Sequence, residues 1–160
     1  MTSIDLMELA TILRDVAARE ILPRFRRLEP ETVRTKSNPT DLVTEADTEA
    51  ERIIKLEIAK RWPQALVVGE ESVAEDPDLL HRLPGADLAI TLDPVDGTAN
   101  FAAGLPLFAV MAAVVVKGEV TGGIIYDPMG DDWVMAERGA GAWMRHPSGW
   151  NRRLHVAAPV

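Results

Sequence analysis

The chain has 160 residues, 25 acidic and 17 basic side chains, a net charge of −8 at pH 7 and no cysteine. That length suits about one domain with a true core, the acidic balance argues against nucleic-acid backbone or anionic membrane as a partner, and the lack of thiols excludes disulfides, thiolate metal sites and a cysteine nucleophile. Acids rather than bases mark the first eight residues and no apolar run reaches membrane-spanning length, so the expected location is the cytoplasm.

Leu6, Leu9, Ala10, Leu13, Val16 and Ala17 recur at helical spacing, which predicts an amphipathic helix over about 4–25, with Pro23 near its end. Residues 36–47 are rich in turn formers and feed a second predicted helix over about 44–61. Ala46, Ala50, Ile53, Ile54 and Ile58 form its apolar face, and Trp62-Pro63 stops it. Thr44 and Asp47 have the spacing of a capping box, with Asp in place of the usual Glu or Gln. This structural role for Asp47 stands beside a catalytic one. Lys36, taken alone, reads as a surface cation.

Ala65 to Val68 form a short apolar strand that runs into Gly69-Glu70-Glu71-Ser72 and so places carboxylates at a strand end. Taken alone the motif reads as a solvated loop; with an acidic partner, Glu70 becomes a natural metal ligand. Residues 76–85 form a polar loop with room for one helical turn. A second strand, Leu88 to Leu92, is expected to end at Asp93, because Pro94 disfavours helical backbone before it and cannot donate to a ladder.

Asp96-Gly97 is a turn pair, and Thr98 to Phe101 can open a short helix whose first N–H groups lack internal partners and suit an anion. Asp93 and Asp96 thus aim several oxygens into one small space that the N–H groups of Gly97 and Thr98 also face. Two carboxylates about 4 Å apart repel by roughly 4 kcal/mol at an effective dielectric near 20, so such a site takes up a proton or a cation. Oxygen donors without cysteine favour magnesium. The plainer reading is a strand cap at Asp93 and a turn at Asp96-Gly97.

Leu107 to Val116 and Val120 to Tyr126 pair as a hairpin around Lys117-Gly118-Glu119, and Asp132 to Ala136 and Ala142 to Arg145 add two shorter strands. Two leading helices followed by mostly antiparallel strands predict an α+β fold with the helices on one sheet face. His81, His146 and His155 lack ligand-like spacing, and Trp62, Trp133, Trp143 and Trp150 read as packing or interface residues.

Together, three segments resemble the inositol monophosphatase family of magnesium-dependent, lithium-sensitive sugar and nucleotide phosphatases. They are Asp41-Leu42-Val43-Thr44-Glu45-Ala46-Asp47, Gly69-Glu70-Glu71-Ser72, and Asp93-Pro94-Val95-Asp96-Gly97-Thr98-Ala99-Asn100-Phe101. The resemblance implies the first half of a layered αβαβα fold. It implies that Glu70, Asp93 and the Val95 carbonyl hold one metal, and that Asp93 and Asp96 share a second, in a set of two or three Mg2+ ions. Gly97 and Thr98 would offer N–H groups to phosphate, Thr98 polarised by Asp47 would orient or deprotonate the attacking water, and Lys36 would lie nearby as an accessory cation.

Family members also carry a second α/β half with a Trp-Asp-x-Ala motif that this sequence does not reach by Val160. Residues 1–160 are therefore expected to be a single domain, the N-terminal metal-binding half of such an enzyme. The expected function is magnesium-dependent hydrolysis of a small polyol or sugar phosphate, such as inositol monophosphate, by direct attack of water, in a homodimer. Relatives handling fructose bisphosphate, 3'-phosphoadenosine phosphates or histidinol phosphate leave the substrate open. Other readings are a catalytically incomplete metal-binding or dimerisation fragment, a purely structural domain, and a haloacid-dehalogenase-like phosphatase with an aspartyl nucleophile. For the last, the spacing between Asp93 and Asp96 is one residue too long and a proline intervenes.

Overall fold

The structure is a computed structural model and describes residues 4–28, 33–35 and 42–157. Lys36 and Asp41 lie outside the described residues, so the expectations placed on them rest on sequence alone. Helix α1, Leu6–Val16, starts where the Asp5 carboxylate accepts the Met7 N–H at 2.8 Å. It runs into a π-helical turn, Ala17–Ile21, which keeps Ala17 and Ile21 on the buried side. The predicted single helix is thus shorter in its α-form, and a widened turn adjusts its apolar stripe to the core.

After the two-residue strands β1, Arg34–Thr35, and β2, Leu42–Val43, comes helix α2, Glu45–Arg61. Its capping box is formed by Thr44 and Asp47, and it ends at Trp62, before Pro63. Ala46, Ala50, Ile54 and Ile58 recur every fourth residue and are fully buried. Beside that stripe the same helix buries two acids, Asp47 and Glu51.

Strand β3, Leu66–Gly69, passes directly into helix α3, Glu70–Glu75, where a solvated loop was expected. Helix α4, Asp78–Arg82, and a 3-10 turn at Leu83–Gly85 lead to β4, Leu88–Asp96. The predicted end at Asp93 is overrun. The strand continues through a register shift between Asp93 and Asp96, and this irregularity accommodates Pro94, which has no N–H to give. Helix α5, Thr98–Ala102, follows, and then β5, Ala109–Val116, and β6, Glu119–Asp127, join through Lys117 and Gly118, both left-handed as a two-residue hairpin requires. Strands β7, Asp132–Glu137, β8, Gly141–Arg145, and β9, Asn151–Leu154, complete the chain; β9 was not foreseen.

The main sheet has seven strands in the order β3-β4-β5-β6-β7-β8-β9. Only β3 and β4 run parallel, joined by the crossover that contains α3 and α4; every other neighbouring pair is antiparallel. The fold is therefore α+β with α1 and α2 packed on one face. Leu9, Leu13, Ile54 and Ile58 meet Ile90, Val110, Ile124 and Tyr126 in the core. Trp62 and Trp133 are buried as expected, and Trp133 donates its indole N–H to the Ala10 carbonyl at 3.2 Å. On the opposite face Met111, Ala113, Ile125 and Val134 line a shallow apolar cavity of about 400 Å³ with Asp93 at its margin. Among the described residues no helix is long and apolar enough to cross a membrane.

Candidate functional site

The parallel pair decides where the acids go. Gly69 of β3 stands opposite Leu92 of β4, so Glu70, which follows the end of β3, and Asp93, which opens the irregular stretch of β4, come side by side. Their carboxyl groups are hydrogen-bonded to each other. Burial first, then the Glu70 carboxylate and that shared bond, then the charge of Asp96, push the Asp93 carboxyl up to about 7, against the pull of the Val95 N–H. That N–H donates to Asp93 Oδ1 at 3.1 Å and turns the chain tightly after the aspartate.

Gly97 holds the next bend. Its φ is +93°, and a Cβ there would lie 2.8 Å from the Leu107 carbonyl, so both conformation and space demand glycine. Asn100 donates to the same carbonyl at 2.8 Å, and Phe101 packs against Phe25 and Phe108 with ring centroids 5.6 and 5.0 Å away. The end of the Asp93–Phe101 motif is thus structural: it pins α5 so that Thr98 faces α2.

Thr98 Oγ1 lies 2.9 Å from Asp47 Oδ1 and 3.0 Å from the Val95 carbonyl, its proton shared between two acceptors. Asp47 Oδ2 accepts from the Thr44 N–H at 2.8 Å and the Thr44 hydroxyl at 2.5 Å. The capping and catalytic readings of Asp47 are therefore not rivals. One oxygen caps α2 and the other reaches Thr98. Burial raises the Asp47 pKa, opposed by the bonds from Thr44 and Thr98.

Of the residues singled out from sequence, Asp47, Thr98 and Val95 form one hydrogen-bonded group, and Glu70 and Asp93 form another. Val95 and the Asp93 carboxyl, two residues apart, join them. Asp96 is exposed and acts on Asp93 through charge, and among the described residues no three His, Asp or Glu side chains already stand at metal-holding spacing. The donors still fit a hard divalent ion. The negative charge that Glu70 brings beside Asp93 is one a cation would answer, and two carboxylates with a nearby main-chain carbonyl are the oxygen ligands magnesium accepts while keeping several waters.

Sequence reasoning missed Glu51. Its carboxylate accepts the Glu71 N–H at 2.7 Å, the Ser72 N–H at 2.9 Å and the Ser72 hydroxyl. The available signal was an acid on the apolar side of α2, one turn after Asp47.

A family model described as the inositol monophosphatase family matches residues 5–159. The chain belongs to that family. An inositol-1-monophosphatase from Mesorhizobium japonicum is 39% identical over 123 residues, covering 76% of this chain and 42% of that protein. A fructose-1,6-bisphosphatase/inositol-1-monophosphatase from Thermotoga maritima is 38% identical over 113 residues, 71% of this chain and 41% of its own. The solved structure of an IMPase from Thermotoga maritima superposes with a TM-score of 0.79 at 32% identity, over 96% of this chain and 54% of that one. The chain thus spans about two fifths of these curated relatives and about half of the solved one.

Proposed function

We propose that this inositol monophosphatase family chain carries the metal- and phosphate-binding half of a magnesium-dependent phosphomonoesterase acting on a small polyol or sugar phosphate. The observation that carries the reading is the meeting of Glu70 with Asp93 beside the Thr98–Asp47 pair. In this reading Glu70, Asp93, Asp96 and the Val95 carbonyl hold the ions. When bound, magnesium supplies positive charge against the phosphoryl oxygens and acidifies the attacking water. Thr98 Oγ1 accepts a hydrogen bond from that water while donating to Asp47 Oδ1. A proton leaving the water passes through the threonine hydroxyl to the aspartate, whose burial favours taking it up. The N–H groups of Gly97 and Thr98 orient the phosphate, and Lys36 serves as an accessory cation.

The test is magnesium-dependent phosphate release from inositol monophosphate, fructose bisphosphate, 3'-phosphoadenosine phosphate and histidinol phosphate. It uses the chain as it stands and the chain extended by a downstream α/β half. Release that vanishes in Asp93→Asn and drops in Glu70→Gln supports the reading; an Asp93→Asn variant that keeps its activity refutes it. The exposure of Asp96, which leaves the proposed second ion with one buried carboxylate fewer, favours a second reading, a metal-binding or dimerisation module without turnover. Magnesium uptake with no phosphate release in either form supports that one. The homodimer belongs to the same proposal and is checked by sedimentation.

A further inference from the structure

Helix α3 begins at Glu70 and has no fully buried residue. Apolar packing therefore does little to fix the direction in which Glu70 leaves β3. What fixes it is polar. Glu51, itself only 3% exposed, projects from α2 and receives the N–H groups of Glu71 and Ser72 and the Ser72 hydroxyl. Lys55, one turn further along α2, donates to Ser72 Oγ at 2.5 Å, and its ammonium group stands 3.9 Å from Glu51 Oε1. Gly69 makes room for this arrangement, since a Cβ there would lie 2.2 Å from the Glu51 carboxyl carbon.

A carboxylate held out of water is costly unless its oxygens are bonded. Here the hydrogen bonds come from the two residues that follow Glu70, with the Lys55 ammonium beside them. We propose that Glu51 is a positioning residue for the metal site: it grips the start of α3 and so sets Glu70 against Asp93. The inference rests on the proposed function and adds a member to it. It also explains three residues of the Gly69–Ser72 motif that hold no ion. Gly69 clears space, Glu71 gives a main-chain N–H, and Ser72 gives an N–H and a hydroxyl.

Asp47 and Glu51 then have parallel tasks on one helix. Asp47 holds Thr98, across 51 residues, and Glu51 holds the segment around Glu70, across 20 and 21 residues. Two pieces of the site that are remote in sequence are both indexed to α2.

The test measures magnesium binding by calorimetry for the parent chain, Glu51→Gln, Gly69→Ala and Ser72→Ala. Thermal melts and hydrogen exchange at the Glu71 and Ser72 amides accompany it. Glu51→Gln keeps the shape of the side chain but turns an NH2 donor toward groups that are themselves donors, and Gly69→Ala forces the carboxylate to withdraw. Both are expected to stay folded, to lose exchange protection at the two amides, and to bind magnesium roughly 10–100-fold more weakly. Ser72→Ala, which removes one of the three donors, is expected to weaken binding by less, and Glu49→Gln, on the outer side of α2, to leave it unchanged. Folded Glu51→Gln or Gly69→Ala variants that bind magnesium as the parent does overturn the inference, because a purely structural clamp would move the melts alone. If Glu51→Gln fails to fold, Gly69→Ala and Ser72→Ala decide the matter. A parent chain that takes up no magnesium overturns the proposed function, and this inference with it.

Discussion

Asp93 and Asp131 are both aspartates at irregular points of the sheet, one in the bulged end of β4 and the other between β6 and β7, yet their surroundings act on them in opposite directions. Around Asp93 the weightiest neighbours after burial are two more carboxylates, and its pKa rises to about 7. Around Asp131 the Arg14 guanidinium closes a two-pronged pair at 2.6 and 2.8 Å, the Tyr126 hydroxyl adds a bond at 2.9 Å, and the pKa falls. One aspartate is neutralised from within the fold. The other is crowded by like charges, which oppose its ionisation and do nothing for folding, and which a cation would answer in the proposed function.

The same substitution at both places should therefore separate function from stability. Asp93→Asn is expected to remove nearly all turnover in a phosphate-release assay while leaving the metal-free melting temperature equal or higher, since it relieves like-charge repulsion. Thr98→Val should lower turnover by roughly 10²–10⁴-fold, the usual range for losing a proton-transfer group, with magnesium affinity largely kept in a calorimetric titration. Asp131→Asn should do the reverse of Asp93→Asn. Turnover stays within about twofold, while denaturant unfolding shows a loss of about 1 kcal/mol, small because the pair is more than a third exposed and screened by solvent.

The smallest effect is the pH dependence of that loss. Because the folded state depresses the Asp131 pKa below the ordinary 3.8, its stabilisation is present above that value and fades as pH falls through the folded one. Melting curves of parent and Asp131→Asn should begin to converge as pH falls below 3.8 and meet once it lies below the folded-state value; a gap that acid does not narrow at all would break the contrast between the two aspartates.

The parts of the site written contiguously were legible in the sequence. The Asp93–Phe101 stretch carries its own turn chemistry, and the Gly69–Ser72 acids sit at the end of an apolar strand, so both announced a site before any fold was known. The capping box at Thr44 and Asp47 was equally plain, but spacing could not reveal that Asp47 has an oxygen left for Thr98, because that contact spans 51 residues. Glu51 was hidden for the same reason. On a helical wheel it is one more charge, and only the sheet order brings its partners to it.

Of the fold, the helices and antiparallel strands followed from periodicity. The parallel setting of β3 against β4 did not, since it depends on a crossover through residues 70–85, of which 76–85 read as a polar loop with room for one helical turn. The run of β4 past Asp93 was hidden by Pro94, which the bulge tolerates. Strand β9 gave no apolar alternation, and it stands at the edge of the sheet, where little apolar burial is needed.

The four-residue interval between Asp47 and Glu51 has a consequence for how such a sequence can change. Surface loops elsewhere can lengthen at slight entropic expense, but one residue inserted inside this interval would swing Glu51 by roughly 100° about the helix axis relative to Asp47. One of the two grips would then face water, so change between Asp47 and Glu51 is confined to replacements that preserve the interval's length.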